Sequence, residues 1–267
     1  MKKIFNQFFN SYYFDILPNI LKRRLRKINY STYFSISKHN NLPKSNYNTN
    51  FSYNYQNFIL QNFSSKSYLS KNSYKNLSKL IKRLKLKSIK FFDFGAGDIN
   101  TYLELIKFKN LFYYYYDIQD RRKIINKLII KNKLKNINVI NNPLESKFKF
   151  NFVFFGSSLG YSNHYKKILK KVISVNCKYI LISGITLFEK ESFKNDHVVA
   201  KQLNILPEIN YLYLFNKSKF INLFKKNNYK IVFLRKNQFK KIKFKNLEFF
   251  SKKIEYADIL FEKRKMI

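Results

Sequence analysis

The residues best suited to chemistry are glycines and acids that directly follow apolar runs. Gly95 and Gly97 follow the apolar run 89–94 in the sequence Asp93-Phe94-Gly95-Ala96-Gly97-Asp98. A glycine turn after a buried strand lets backbone approach a ligand closely, and amides at the next helix start can bind its polar groups. A second acid, Asp117, ends the next apolar run, where a carboxylate can accept hydrogen bonds from both hydroxyls of a ribose. The pattern predicts a nucleotide-type site.

The remaining glycines of the chain, which has only five, follow two later apolar runs. Gly156 and Gly160 come after the fourth predicted strand, and Gly184 comes after the fifth. Open α/β sheets bind ligands outside the carboxyl ends of their strands, so all five glycines are expected at one edge. Ordinary strand-to-helix turns are the alternative explanation, although other turns in this chain are made with Asn and Lys.

Apolar runs of strand length alternate with helical segments from about residue 78 onward. The predicted strands are 89–94, 111–116, 137–140, 152–155, 179–182, 229–234 and 254–261. The predicted helices lie near 77–86, 99–108, 120–134, 163–174 and 217–227. This alternation is typical of βαβ units. We therefore expect an α/β fold with a Rossmann-like, doubly wound, mostly parallel seven-stranded sheet.

Two regions flank or interrupt this alternation. Residues 1–77 are expected to form a basic, aromatic N-terminal extension to a ligand-binding domain at 78–267, and residues 186–215 form an insertion. Residues 16–28 carry apolar positions at near-helical spacing, with Lys and Arg between them. Such a helix can lie on an anionic membrane surface or pack against its own domain, and both remain open.

The charge is strongly positive, with 53 Lys and Arg against 15 Asp and Glu, which gives a formal net charge of +38. Codons rich in A and T would favour Lys but do not explain why acids are scarce. We expect general attraction to phosphates or acidic surfaces, and specific binding of a nucleic acid stays open as the less favoured alternative. No apolar run approaches the ~20 residues of a membrane span, and a cytoplasmic location is expected. The single cysteine, Cys177, provides neither a disulfide nor a Cys-based metal site, and no metal is expected.

The turn at 93–97 resembles the D-x-G-x-G motif of S-adenosylmethionine (SAM)-dependent methyltransferases. The spacing to Asp117 would also suit a nicotinamide dinucleotide. That motif, however, requires glycine where Asn100 stands and does not require Asp93, so the SAM interpretation is favoured. The turn differs from the commonest methyltransferase form at Ile99, where a third glycine is frequent.

Further stretches resemble a bacterial family of SAM-dependent methyltransferases associated with surface-polysaccharide and lipopolysaccharide gene clusters. These stretches are 17–21, 155–161, 186–188, 196–197, 201–202, 211–215, Phe220 and 228–229. The resemblance implies SAM as cofactor and a small-molecule or glycan-linked acceptor. It implies cofactor contacts at Asp93, Gly95, Gly97, Asp117, Asn141, Asn142, Ser157 and Ser158, with the two serines facing the transferring methyl group.

Methyl transfer also requires an acceptor site and a base that removes the acceptor's proton. His197 in the insertion, with Asp196 beside it, is the preferred base, and His164 is the second choice. The segment 186–215 is expected to form a lid or acceptor wall. Its substrate-binding residues would be Lys201, Gln202, Tyr211 and Tyr213, although core packing would explain the tyrosines equally well.

The function predicted from these features is methylation of a small or glycan-linked acceptor, in surface-polysaccharide biosynthesis, at the cytoplasmic face of the membrane. Two alternatives stay open. An RNA methyltransferase is supported by the charge and the aromatic, basic N-terminal region. A catalytically silent Rossmann-like scaffold would keep the fold without binding SAM.

Overall fold

The strands belong to one ten-stranded sheet, seen in a computed structural model that describes residues 33–43, 53–62, 76–144, 149–190, 192–205, 208–237, 247, 250–251 and 253–264. The strands are β1 Tyr33–Ile36, β2 Ile89–Phe94, β3 Leu111–Tyr116, β4 Ile137–Val139, β5 Phe152–Gly156, β6 Tyr179–Glu189, β7 His197–Ile205, β8 Glu208–Asn216, β9 Tyr229–Lys236 and β10 Lys253–Lys263. The helices are α1 Tyr53–Asn62, α2 Leu77–Arg83, α3 Asn100–Leu105, α4 Gln119–Lys131, α5 Tyr165–Ser174 and α6 Lys217–Lys225.

Seven strands form the predicted Rossmann-like unit, in the order β4-β3-β2-β5-β6-β10-β9. The first five are parallel to one another, and β10 is antiparallel to both of its neighbours. The prediction of a mostly parallel, seven-stranded α/β sheet is therefore confirmed. The other three strands, β1, β7 and β8, add an antiparallel edge in the order β1-β7-β8 beside the second half of β6.

Continuous apolar runs make the central strands because both faces of the sheet are covered. Successive side chains of a strand point to opposite faces. On β2, Phe91 packs into one core cluster and Phe92 into the other. The Phe91 ring stacks on Tyr113 and Phe152 of the neighbouring strands, at centroid distances of 5.5 and 5.2 Å. These cross-strand stacks hold the central strands in register.

The strand β6 is longer than the sequence predicted, and this corrects the position of Gly184. We expected the strand to end at Ile182 with Gly184 after it, but Gly184 lies inside a strand that continues to Glu189. Parallel pairing with β5 ends at Ser183, and pairing with β8 begins at Leu187. Gly184 has φ +66°, and the register with β10 shifts opposite it. The glycine therefore forms a bulge between the two halves of β6.

Two described segments of the predicted N-terminal extension contact the sheet domain. The strand β1 pairs with β7, and Ile59 of α1 is fully buried in the core cluster that includes Ile125 of α4. The basic segment 16–28 lies outside the described residues, so its membrane role stays a prediction. None of the helices within the described ranges has both the length and the apolar character of a membrane span.

Replacing Gly184 with alanine is expected to destabilise the fold by about 2 to 5 kcal/mol. An alanine Cβ would lie 2.1 Å from Ser157 Oγ and 2.3 Å from Tyr256 Oη, and φ +66° disfavours any side chain. Gly97→Ala is the matched control, because its φ is +68° but the nearest atom to its Cβ would be 3.9 Å away. Urea unfolding should show a larger loss for Gly184→Ala. Equal losses would contradict the packing that we describe around the bulge.

Candidate functional site

The glycine turn lies over the carboxyl end of β3. The amides of Gly95 and Ala96 both donate to the backbone oxygen of Tyr116, at 2.8 and 3.1 Å. Gly95 and Gly97 have φ +64° and +68°, values that glycine adopts without the steric cost of a side chain. Residues 95–98 remain partly exposed. We refer to residues 95–98 as the glycine bend.

Asp117 joins the end of β3 to the glycine bend. Its Oδ2 accepts a hydrogen bond from the Gly97 amide at 2.6 Å, and its Oδ1 accepts one from the Ile118 amide at 2.7 Å. Arg121 Nη1 lies 3.2 Å from Oδ2 as an ion pair. A carboxylate offers about four lone-pair positions, so about one is left for a ligand while Arg121 stays in place. Arg121 must therefore move if both hydroxyls of a ribose are to bind Asp117.

Asp93 lies at the end of β2 and is almost completely buried, with 1% of its surface exposed. Tyr113 Oη donates to Oδ2, while the buried Oδ1 has no hydrogen-bond partner in the described part of the chain. Burial raises the pKa of Asp93 to about 7, although hydrogen bonds from Tyr113 and Thr101 act in the opposite direction. The carboxyl group predicted to contact the cofactor therefore lies inside the fold, beneath the bend.

The loop after β5 packs against the glycine bend. Ser158 Oγ donates to the Phe94 backbone oxygen at 2.5 Å, and a Cβ on Gly95 would lie 2.3 Å from Ser158 Cβ. Ser157 Oγ is 2.9 Å from Tyr256 Oη. The structure thus brings both predicted serines next to the glycine bend, and they are partly exposed there.

The two predicted asparagines follow β4 and are engaged in local contacts. Asn141 Oδ1 accepts a hydrogen bond from Arg122 Nη1 at 3.0 Å. Asn142 Oδ1 accepts one from the Leu144 amide at 3.0 Å, which is the side-chain pattern of an Asx turn. Arg122 lies on α4 directly after Arg121, the ion-pair partner of Asp117. Of the two asparagines, Asn141 is therefore the one that contacts α4 beside Asp117.

His197 begins β7 and lies among aromatic residues. Its Nδ1 is 2.8 Å from Tyr165 Oη, its ring centroid is 4.3 Å from that of Tyr213, and it makes a hydrogen bond to the Asn40 backbone. Burial is the main cause that lowers its pKa. The neighbouring Asp196 pairs with Lys166 Nζ at 2.7 Å. His197 is thus held by packing, and the second candidate base, His164, is exposed before α5.

The four predicted substrate residues lie on β7 and β8 but differ in surroundings. Lys201 and Tyr211 are register partners and are both partly exposed. Gln202 is buried and accepts a hydrogen bond from Tyr161 Oη at 2.7 Å, in the 3₁₀ turn 159–161 after the serine pair. Tyr213 is buried and donates to Asn163 Oδ1 at 3.0 Å, so it packs in the core.

Several residues near the glycine bend were not identified from the sequence. Gln56 of α1 is fully buried and accepts from the Ile99 amide at 3.1 Å. Nothing in the surrounding sequence indicated this contact. Two other residues could have been suspected from the sequence. Arg121 lies four residues after Asp117, a spacing that allows an ion pair, and Asp258 is an acid inside an apolar strand. Among the residues described, no group of His, Cys, Asp and Glu could hold a metal ion.

Comparison with known proteins supports the fold and not the sequence resemblance. No protein-family model matches the chain, and no characterised protein matches it by sequence. The N-terminal domain of EvdMO1, solved with S-adenosylhomocysteine and D-fucose, is similar with a TM-score of 0.53 and 8% identity, over 73% of this chain and 84% of that one. The cyclase SpnF is similar with a TM-score of 0.50 and 8% identity, over 71% and 80%.

A methyltransferase from Burkholderia thailandensis that acts on 1,6-didemethyltoxoflavin covers 79% of this chain and 88% of its own, with 11% identity and a TM-score of 0.49. The Rossmann-like fold of this chain is thus shared with the EvdMO1 domain and with SpnF, the neighbours whose TM-scores reach 0.5. Because a cyclase shares this fold, the fold does not determine the reaction.

Asp93→Asn is expected to change how stability depends on pH. The pKa of Asp93 has its ordinary value of 3.8 in the unfolded chain and is about 7 in the folded chain. Between these two pH values the folded chain therefore keeps a proton on Asp93 that the unfolded chain has lost. Wild-type stability should therefore fall relative to the variant as pH rises from about 4 to about 7, by up to about 4 kcal/mol. Urea unfolding of both proteins across this range measures the difference. A difference that does not vary with pH would show that Asp93 ionises normally.

Proposed function

We propose that this chain is a SAM-dependent methyltransferase that acts on a small-molecule or glycan-linked acceptor. The observation that carries the proposal is the 2.6 Å hydrogen bond between the Gly97 amide and Asp117 Oδ2. It unites a glycine bend with an acid at the carboxyl ends of two adjacent parallel strands. Ligands of open α/β sheets bind at this edge. A carboxylate there is suited to a ribose diol.

The residues present fit an adenosyl cofactor. Within 4 Å of a Cβ added at Gly97, the described part of the chain places only Arg121 Nη1, at 3.9 Å, which belongs to a flexible side chain. On the other side Ser158 fills the space beside Gly95. Asp117 would hold the ribose, and the backbone at Gly95 and Gly97 would lie against the cofactor. The buried Asp93 Oδ1, which has no hydrogen-bond partner among the described residues, leaves an acceptor below the bend.

When bound, SAM supplies a methyl group on a sulfonium, and the acceptor's lone pair forms the new bond as the carbon–sulfur bond breaks. The chain has mainly to position the acceptor in line with that bond. Ser157 and Ser158 lie beside the bend, where acceptor and cofactor would meet. The bond to the Asn40 backbone raises the pKa of His197, so the ring donates there, and Nδ1 would have to give up its bond to Tyr165 before it could take a proton. We retain it as the proposed base, with His164 second.

The acceptor wall is proposed at the antiparallel strands β7 and β8. The 3₁₀ turn that follows the serine pair contacts β8, because a Cβ on Gly160 would lie 3.3 Å from the Tyr213 backbone oxygen. Gln202 reaches the same turn through Tyr161. The partly exposed Lys201 and Tyr211 offer a cation and an aromatic face to an acceptor. These features suit a polar ring such as a sugar.

A role in surface-polysaccharide biosynthesis is proposed from the family resemblance. The EvdMO1 domain, which has a similar fold, was crystallised in the presence of D-fucose, a sugar. A cytoplasmic location with peripheral contact to an anionic membrane remains a prediction. The RNA methyltransferase and the silent scaffold remain alternatives, and binding of S-adenosylhomocysteine would exclude the scaffold.

Calorimetric titration with S-adenosylhomocysteine should detect binding to the wild type and at least about tenfold weaker binding to Asp117→Ala. Hydrogen bonds to a charged group each contribute about 1.5 to 3 kcal/mol, and about 1.4 kcal/mol corresponds to tenfold. Glu262→Ala is the matched control, because it removes a carboxylate paired with Lys230 at the opposite end of β6. Equal affinity of Asp117→Ala and the wild type would remove Asp117 from the site.

A further inference from the structure

Tyr256, on β10, reaches over β6 to the loop after β5. Its Oη lies 2.9 Å from Ser157 Oγ. Both hydroxyls lie against Gly184, where an added Cβ would be 2.1 Å from Ser157 Oγ and 2.3 Å from Tyr256 Oη. The bulge at Gly184 therefore leaves the space in which these hydroxyls meet. We refer to Ser157 and Tyr256 as the hydroxyl pair.

The hydroxyl pair is connected to the glycine bend through Ser158, although Tyr256 lies far from the bend in sequence. Ser158 packs directly on Gly95 and donates to the Phe94 backbone oxygen. Ser157 is the preceding residue. A continuous path of contacts therefore runs from the proposed cofactor site through two serines to the Tyr256 hydroxyl.

The backbone at Ser157 is strained, and hydrogen bonds with residues of β6 and β10 support it. Ser157 has φ +60°, which is costly for a residue with a side chain, and its amide donates to the Ser183 backbone oxygen at 2.8 Å. The buried Asp258 Oδ1 accepts from Ser183 Oγ at 2.7 Å and from the Gly184 amide at 3.1 Å. Non-glycine residues held in such conformations cluster at functional sites.

The hydroxyl pair can hydrogen-bond a ligand but is not suited to act as a base. Burial is the main cause that raises the pKa of Tyr256, so its hydroxyl stays protonated at neutral pH. Two hydroxyls carry two O–H groups and four lone pairs, and their mutual bond uses one of each. Both residues are partly exposed, and their mutual bond leaves one O–H group and three lone pairs for a ligand.

We propose that Ser157 and Tyr256 together face the transferring methyl group and accept a hydrogen bond from the acceptor's O–H or N–H group. This inference rests on the proposed function. The contact would aim the acceptor's lone pair at the methyl carbon. It selects acceptors that carry a hydroxyl or amine at the reacting atom, and Tyr256 is the residue that the sequence did not identify.

The test uses sinefungin, a SAM analogue in which a carbon-bound primary amine takes the place of the sulfonium methyl. Its amine should hydrogen-bond the hydroxyl pair, whereas S-adenosylhomocysteine has no group there. Tyr256→Phe keeps the ring and removes the hydroxyl, and Ser157→Gly removes the other hydroxyl while relieving the positive φ. Each variant should bind sinefungin about tenfold more weakly and S-adenosylhomocysteine within about twofold of wild type.

Tyr179→Phe is the control, because it removes a tyrosine hydroxyl that bonds Glu262 at the other end of β6. It should leave the ratio of the two affinities unchanged. If both ligands bind but neither site variant changes this ratio, the inference is wrong and the proposed function stands. A ratio that changes equally in the control would also overturn it. If wild type binds neither ligand, the proposed function fails, and the inference fails with it.

Discussion

The hydrogen bond from the Gly97 amide to Asp117 is the interaction on which the account depends. It closes the glycine bend onto the end of β3, and the Gly95 and Ala96 amides reinforce it by donating to Tyr116. In the parallel register of β2 and β3, Phe94 is paired with Tyr116. This register places the glycine bend and the Asp117 carboxylate at the same level of the sheet. The site is thus a consequence of sheet register, and the aromatic stacks of the core that fix this register also fix the site.

The chain has only five glycines, so the places where they occur are informative. Gly95 and Gly97 lie at the edge formed by the carboxyl ends of the parallel strands, Gly184 lies inside β6 where its pairing with β5 ends, and all three have positive φ. Gly95 admits Ser158, Gly184 admits the Ser157 and Tyr256 hydroxyls, and Gly97 alone leaves room beside it. One residue type therefore allows tight packing at two positions and leaves space beside the backbone at the third.

The sequence predicted those features that depend on local pattern. The bounds of β2 and β3 agree with prediction to the residue, because short continuous apolar runs are typical of strands that are buried on both faces. The extension of β6 depends on pairing with β8 and β10, which local pattern cannot reveal. For the same reason the contacts of Gln56 and Tyr256 were not foreseen, and the buried Tyr213 could not be distinguished from the partly exposed Tyr211. Residues adjacent in sequence to the glycine bend were predictable, while those brought by distant strands were not.

A crystal structure of the chain grown with saturating S-adenosylhomocysteine would test the central claim most directly. We expect ribose hydroxyls within hydrogen-bond distance of the Asp117 carboxylate, adenosine against Gly97, and Arg121 turned away from its present ion pair. A ligand bound elsewhere, or an Asp117 that still holds Gly97 and Arg121 with no ligand beside it, would contradict the assignment and leave only the architecture.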